Sequence, residues 1–163
     1  MLLGDILHTS VVTTRLEAKD KYEAIDQLVD LLVRSEQIPE SLRRHVVDAV
    51  EEREHSLSTG MEHGIALPHG SSDQINEIVA AMGISHEGVP FDTLDGEPAR
   101  LIILILLPRR NFQGHVRTLA GIAHLLNNGV FRERLMSAAS VGEALALIHD
   151  EERRDVPLDG PAH

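Results

Sequence analysis

Two nearly uninterrupted apolar runs constrain the fold of this chain more than any other sequence feature. They extend from Ile78 to Ser85 and from Arg100 to Leu107, and Pro108 follows the second run. Both runs are short, rich in aliphatic residues and apolar on both faces, which is typical of strands buried on both sides. The pattern predicts an α/β domain in which helices cover both faces of a sheet.

Helical periodicity before these strands predicts two helices. Apolar residues recur at helical spacing after Asp20, which indicates a helix over about 21–35 with Asp20 as its N-cap. The same spacing after Pro39 indicates a second helix that runs toward Arg53 and carries this cation in its last turn. Two shorter apolar segments are further strand candidates: Val11–Thr14 and Ile65–Leu67.

The C-terminal third is predicted to be helical. A polar loop after Pro108 precedes a helix that has His115 in its first turn and stops at Asn127-Asn128-Gly129. Two further helices are predicted at Phe131–Ala138 and Ala144–Ile148. Charges, proline and glycine dominate the sequence after Asp150, so we expect one domain over residues 1–150 and a polar, flexible tail over 151–163.

The charge balance and the apolar segments exclude several partners. The chain carries 26 acidic and 15 basic residues, a formal net charge of -11, and such a surface repels nucleic acid and anionic membranes. The longest apolar run, Leu101–Leu107, is far shorter than the roughly 20 residues that span a bilayer, so no membrane insertion is expected. The first residues lack the basic start of a secretory signal, which predicts a cytoplasmic protein.

The residue inventory also narrows the chemistry. There is no cysteine, which excludes disulfides, thiolate metal sites and a thiol nucleophile within the chain. Lys19 and Lys21 do not follow a glycine-rich loop, so no P-loop is present. Gly-x-Ser-x-Gly and His-Glu-x-x-His segments do not occur either. Imidazole, carboxylate and hydroxyl chemistry remain, and the ten histidines are the first candidates.

One segment, Ser58–Gly70, combines turn glycines with a presented histidine. Its loop leads into a short apolar strand, and Pro68 holds His69 rigidly at the end of that strand. We expect Gly70 to leave the imidazole uncrowded, so that His69 is accessible to a docking partner. On spacing alone, a loop histidine that merely points into solvent is the alternative interpretation.

The stretch from Thr59 to Gly70 resembles the phosphorylation-site motif of the mannitol/fructose type of enzyme IIA, from the bacterial phosphoenolpyruvate-dependent sugar phosphotransferase system. Three other segments are similar to the family pattern: Arg53-Glu54, Phe91–Gly96, and Gly114–Ala120 around His115. The similarity reaches from the N-terminal region to about residue 149. It implies a three-layer α/β/α fold with a mixed β-sheet.

The resemblance also implies roles for three residues. His69 would be phosphorylated on Nε2, and His115 and Arg53 would contact the phosphoryl group. A histidine-containing phosphocarrier protein would be the donor, and the phosphate would pass to a cysteine of a IIB domain. No cofactor or metal is implied, because phosphohistidine is itself a reactive donor. The residue types fit, since a neutral imidazole is nucleophilic. An arginine and a second imidazole N–H at a helix N-terminus can stabilise charge on the transferring group.

Two segments depart from the family pattern, and two other functions remain open. Glu62-His63 stands where relatives have a small residue and an asparagine, and His55-Ser56-Leu57 also differs, so the rim of the site is altered. The chain could be a nitrogen-type regulatory protein whose phosphorylation state controls binding to a target protein. A metal hydrolase using His55, His63, His69 or His115 is the third interpretation, but no carboxylate–histidine spacing supports it.

Overall fold

A mixed sheet forms the centre of the protein in the computed structural model, which describes residues 2–155. Within this part of the chain the strands are β1 (Val12–Thr13), β2 (Ile65–Ala66), β3 (His69–Ser72), β4 (Val79–Val89) and β5 (Ala99–Pro108). Their order is β1-β4-β5-β2, and β3 also pairs with β5. Strands β4 and β5 are antiparallel, whereas β2 and β3 run parallel to β5 and β1 runs parallel to β4.

Helices cover both faces of this sheet. The helices of residues 2–155 are α1 (Leu3–Ile6), α2 (Lys21–Arg34), α3 (Arg43–Ser56), α4 (Phe112–Leu125), α5 (Gly129–Met136) and α6 (Val141–Asp155). Helices α2 and α3 pack on each other and on β4 and β3, while α4 and α5 pack on the sheet and on α6. In β5 only Arg100 is more than slightly exposed. The predicted α/β fold with a mixed sheet and flanking helices is confirmed.

Local signals in the sequence place the start of α2 correctly but the start of α5 two residues too late. The Asp20 carboxylate accepts a hydrogen bond from the Glu23 backbone N–H at 2.9 Å, which confirms the predicted N-cap of α2. Helix α5 begins at Gly129, earlier than predicted, because the Asn128 side chain accepts from the Phe131 N–H and caps the helix there. The Asn127-Asn128-Gly129 segment that was predicted to end α4 therefore also contains the N-cap of α5.

Helix α6 continues to Asp155, so the domain boundary expected at residue 150 lies inside a helix. A long-range contact accounts for the extension. The buried Glu152 carboxylate accepts hydrogen bonds from the backbone N–H groups of Leu3 (2.7 Å) and Gly4 (2.8 Å), and so caps α1. The rest of the predicted tail, residues 156–163, lies outside the described residues. No helix within residues 2–155 has the length and apolar character required to cross a membrane.

Helix α3 lies unusually close to β3. A Cβ atom on Gly70 would come within 3.0 Å of Val50 Cγ2, 3.2 Å of the Val50 nitrogen and 3.3 Å of the Ala49 carbonyl carbon. Any larger residue at position 70 would force α3 to shift by a few tenths of an ångström, a role of Gly70 in helix packing that adds to the expectation about the His69 ring. A hydrogen bond of 2.6 Å between His45 Nε2 and Ser72 Oγ ties the same two elements together.

Substitution of Gly70 by alanine is expected to destabilise the protein by about 1–3 kcal/mol, because the new methyl group has to displace a helix backbone. Gly121→Ala is the matched control, since nothing lies within 4 Å of a Cβ at that exposed helical position. This control should gain ~0.5–1 kcal/mol from its helix propensity. Urea denaturation measures both changes, and a Gly70→Ala protein as stable as the wild type would contradict the proposed packing constraint.

Candidate functional site

An open cavity of about 370 Å³ lies where α3, β3, the end of β5 and the first turn of α4 meet. Its lining includes His69 at the start of β3, Arg53 in the last turn of α3, Arg109 just after β5, and Phe112 of α4. Parallel pairing of β3 with β5 brings His69 opposite Ile105 and Ser72 opposite Pro108. The cavity therefore forms only when all these elements are assembled.

The His69 ring is held in one orientation by its own backbone. Nδ1 lies 2.9 Å from the carbonyl oxygen of Leu67. A carbonyl can only accept, so Nδ1 carries the proton in the neutral ring and Nε2 keeps its lone pair. Burial of the half-buried ring lowers the pKa of His69 below its usual 6.5, and the positive charge of Arg53 lowers it further, while the Leu67 carbonyl and the Glu54 charge oppose this shift. His69 is therefore neutral, with a nucleophilic Nε2, near pH 7.

Arg53 supplies a cation at this cavity. Its Nη1 donates a hydrogen bond of 2.7 Å to the Leu57 carbonyl, just beyond the C-terminus of α3. Within residues 2–155 the guanidinium forms no ion pair with a carboxylate. Arg53 thus has donors left for an anion, and a guanidinium is well suited to phosphate oxygens.

Arg109 is a second cation at the cavity, and the sequence analysis did not assign it to the site. Its backbone N–H donates to the Ser72 carbonyl at 3.2 Å, so the β3–β5 pairing places it beside His69. The side chain forms an ion pair of 3.2 Å with Asp73, but both groups are largely exposed and such a pair is weak. In the sequence Arg109 stands at the start of the loop that leads to His115, and the pairing of β3 with β5 brings it to the cavity.

His115 occupies the first turn of α4, as predicted, yet the structure does not join it to His69. Among residues 2–155 its ring makes no hydrogen bond or ion pair, and the residue of α4 that lines the cavity is Phe112. Residues three apart lie on the same side of a helix, so His115 lies on the same side of α4 as Phe112, one turn further from the cavity. Its contact with a phosphoryl group remains a prediction.

The loop before His69 is folded back on itself. The Thr59 carbonyl accepts a hydrogen bond from the Leu67 N–H at 3.2 Å, and Gly60 forms an isolated antiparallel β-bridge with Ala66. A Cβ on Gly60 would come within 2.7 Å of the Phe91 carbonyl oxygen, so only glycine fits there. The family-like glycine of this loop is therefore explained by close backbone packing.

The rim residues Glu62 and His63 project into solvent. His63 adopts a left-handed backbone conformation with φ of 65°, and its N–H donates to the Asp95 carboxylate at 2.9 Å. This bond is the largest reason why the pKa of Asp95 lies below its usual value. The His63 ring approaches the Glu62 carboxylate at 3.7 Å, and both side chains are more than half exposed. Among residues 2–155, no three or more acidic, histidine or cysteine side chains are grouped to hold a metal ion.

Comparisons with known proteins agree with the resemblance seen in the sequence. Residues 5–151 match the family model described as phosphoenolpyruvate-dependent sugar phosphotransferase system, EIIA 2. The fructose-specific EIIA component of Haloferax volcanii is 34% identical over 120 residues, which are 74% of this chain and 77% of that protein. The fructose-specific EIIABC component of Bacillus subtilis is 28% identical over 94% of this chain, which spans only 24% of that longer protein.

Solved structures show the same fold. The nitrogen regulatory protein IIA-Ntr of Neisseria meningitidis superimposes with a TM-score of 0.81 and 29% identity, over 90% of this chain and 98% of that one. Mannitol enzyme IIA of Escherichia coli, in its complex with phosphorylated mannitol enzyme IIB, gives a TM-score of 0.75 and 25% identity, over 88% and 97% of the two chains.

An NMR titration of ring-labelled histidine tests the geometry around His69. When the His69 ring is neutral it should be protonated on Nδ1, and its titration midpoint should lie below 6.5. Arg53→Gln should raise this midpoint, because a nearby positive charge that disfavours the imidazolium is removed. Arg44→Gln is the control on the same helix, since Arg44 is exposed and pairs with Asp48. A neutral ring protonated on Nε2 would contradict the assignment of the nucleophilic nitrogen.

Proposed function

Because the chain belongs to the EIIA 2 family of the phosphoenolpyruvate-dependent sugar phosphotransferase system and is a phosphocarrier of that system, we propose that Nε2 of His69 carries the phosphoryl group. The observation that supports this most strongly is the hydrogen bond from Nδ1 to the Leu67 carbonyl, which leaves Nε2 as the unprotonated nitrogen. The lowered pKa of His69 keeps the ring neutral, and the cavity provides room for the donor phosphoryl group.

The transfer step requires alignment and charge stabilisation more than covalent assistance. The Nε2 lone pair of His69 attacks the phosphorus of a phosphohistidine on the donor, a new N–P bond forms, and the old N–P bond breaks with its electron pair returning to the donor ring. Arg53 is positioned to stabilise the equatorial oxygens with its remaining guanidinium donors. His115, at the N-terminal turn of α4, would add a second donor when the partner is bound.

The proposed partners follow from this chemistry. A histidine-containing phosphocarrier protein is the donor, and the cysteine of a IIB domain is the acceptor. This sequence contains no cysteine, so it does not supply the acceptor thiolate itself. The similarity to mannitol enzyme IIA in complex with phosphorylated enzyme IIB supports a IIB partner. We place the exchange in the cytoplasm, where both partners of such a relay operate.

A regulatory role is the second candidate. The nitrogen regulatory protein of Neisseria meningitidis has 29% identity and a TM-score of 0.81, and this chain covers 98% of it. In that case the phosphorylation state of His69 would control binding to a target protein. The metal hydrolase interpretation has no support. Within the described residues its four histidines do not form a metal-binding group: His55, His63, His69 and His115.

Incubation with a phosphorylated carrier protein should label the wild type and leave His69→Ala unlabelled. His8→Ala is the control, because His8 is exposed and lies outside the cavity. Addition of a IIB domain should remove the label from the wild type as the cysteine takes up the phosphoryl group, and retention of the label at that stage would favour the regulatory role. Label retained by His69→Ala would overturn the assignment of the phosphate acceptor.

Loss of either assisting group should slow phosphorylation without preventing it. We expect Arg53→Gln to reduce the transfer rate by about 100-fold and His115→Ala by about tenfold, since each removes one donor to the transferring group. Rapid-quench measurement of phosphoprotein formation gives these rates, with Arg44→Gln as the arginine control on α3. A wild-type rate in either variant would remove that residue from the mechanism.

A further inference from the structure

The carboxylate of Glu54 is the most completely buried charged group near the site, and the transfer chemistry does not use it. Its side chain is 0% exposed, although the preceding residue, Arg53, faces the cavity. A buried carboxylate is costly unless its oxygens are fully hydrogen-bonded and its charge is balanced. The partners of Glu54 therefore indicate what this charge is for.

Glu54 holds the turn that begins the His69 loop. Its Oε2 accepts the Thr59 backbone N–H at 2.9 Å, and its Oε1 accepts the Thr59 hydroxyl at 2.5 Å. Both contacts reach the same residue, so the carboxylate fixes the position and the orientation of Thr59. Because the Glu54 carboxylate that accepts them is charged, these hydrogen bonds are stronger than bonds between neutral groups.

Lys21 balances the buried charge from α2. Its Nζ lies 3.3 Å from Glu54 Oε2 and 3.0 Å from Asp92 Oδ2. Burial alone would lower the pKa of Lys21, but the hydrogen bond to Asp92 and the charge of Glu54 raise it above its usual value. Lys21 stays protonated, and the chain of contacts joins α2, α3 and the loop in one network.

This network is connected to the His69 ring by two backbone hydrogen bonds. The Thr59 carbonyl accepts the Leu67 N–H at 3.2 Å, and the Leu67 carbonyl accepts the Nδ1 proton of His69 at 2.9 Å. Leu67 is thus held on one side by Thr59 and holds His69 on the other. A displacement of Thr59 would move the only carbonyl that fixes the protonated nitrogen of the ring among the described residues.

We propose that Glu54 is a positioning residue: through Thr59 and Leu67 it selects the His69 tautomer in which Nδ1 is protonated and Nε2 is free. The inference rests on the proposed function, because it explains how the acceptor nitrogen is kept available. Without an acceptor at Nδ1, a neutral histidine ring in water favours the proton on Nε2, which then has no lone pair for phosphorus. Consecutive residues of α3 thus have different roles: Arg53 lines the cavity, and Glu54 is buried and positions the nucleophile.

The test is the tautomer of His69 in unphosphorylated protein, read from ring ¹⁵N shifts above the titration midpoint. In Glu54→Gln the uncharged amide cannot balance Lys21, and both hydrogen bonds to Thr59 lose the strength that a charged acceptor gives them, so Thr59 is held less firmly. We expect a substantial Nε2–H population and transfer slowed by about tenfold or more, by analogy with metal-binding histidines, which lose a comparable factor when the group that orients them is removed. Glu51→Gln on the same helix is the control, and it should keep the wild-type tautomer and rate.

A second pair of variants covers the case in which Glu54→Gln does not fold. Thr59→Val removes only the hydroxyl contact and should shift the tautomer in the same direction, whereas Thr59→Ser restores that contact and should return the ring to the wild-type state. Wild-type tautomer in folded Glu54→Gln and in Thr59→Val would overturn the positioning role. The tautomer is measured without any phosphate donor, so this result is separate from the proposed function, which fails only if wild-type His69 takes up no phosphate.

Discussion

The hydrogen bond between the Leu67 carbonyl and Nδ1 of His69 is the contact on which the proposed phosphoryl transfer depends. It spans only two residues, yet it decides which ring nitrogen carries the proton. The carbonyl is held in place because Leu67 is buried and its N–H is hydrogen-bonded to the Thr59 carbonyl. A local interaction is therefore stabilised by the tertiary structure around it.

The same tertiary structure gathers the cationic groups. The pairing of β3 with β5 brings His69 and Arg109 to one cavity, and the close approach of α3 to Gly70 brings Arg53 to the same cavity. Two cations at the cavity make an environment that attracts a phosphoryl group. Burial and the charge of Arg53 disfavour protonation of the His69 ring. This local environment contrasts with the net charge of -11 over the whole chain.

Sequence patterns predicted the features whose causes are local. The Asp20 cap, the helix toward Arg53 and the apolar runs around Met82 and Ile103 follow from residue order, and the structure contains each of them. The motif around His69 identified the family, and the family model confirmed it. Two features depend on contacts between distant segments and could not be predicted: the cap that Glu152 provides for α1 and the network around Glu54. The role of His115 rests on resemblance, since no contact in residues 2–155 joins it to His69.

The most direct test of phosphoryl transfer through His69 is NMR of the phosphorylated protein carrying ¹⁵N-labelled histidine. The coupling of phosphorus to ring nitrogen identifies the atom that bears the phosphoryl group, and the remaining nitrogen reports its own protonation. The geometry predicts one phosphorylated ring, that of His69, with phosphorus on Nε2 and a proton on Nδ1 that is still bonded to the Leu67 carbonyl. Phosphorus on Nδ1 of His69, or on any other histidine, would contradict this account.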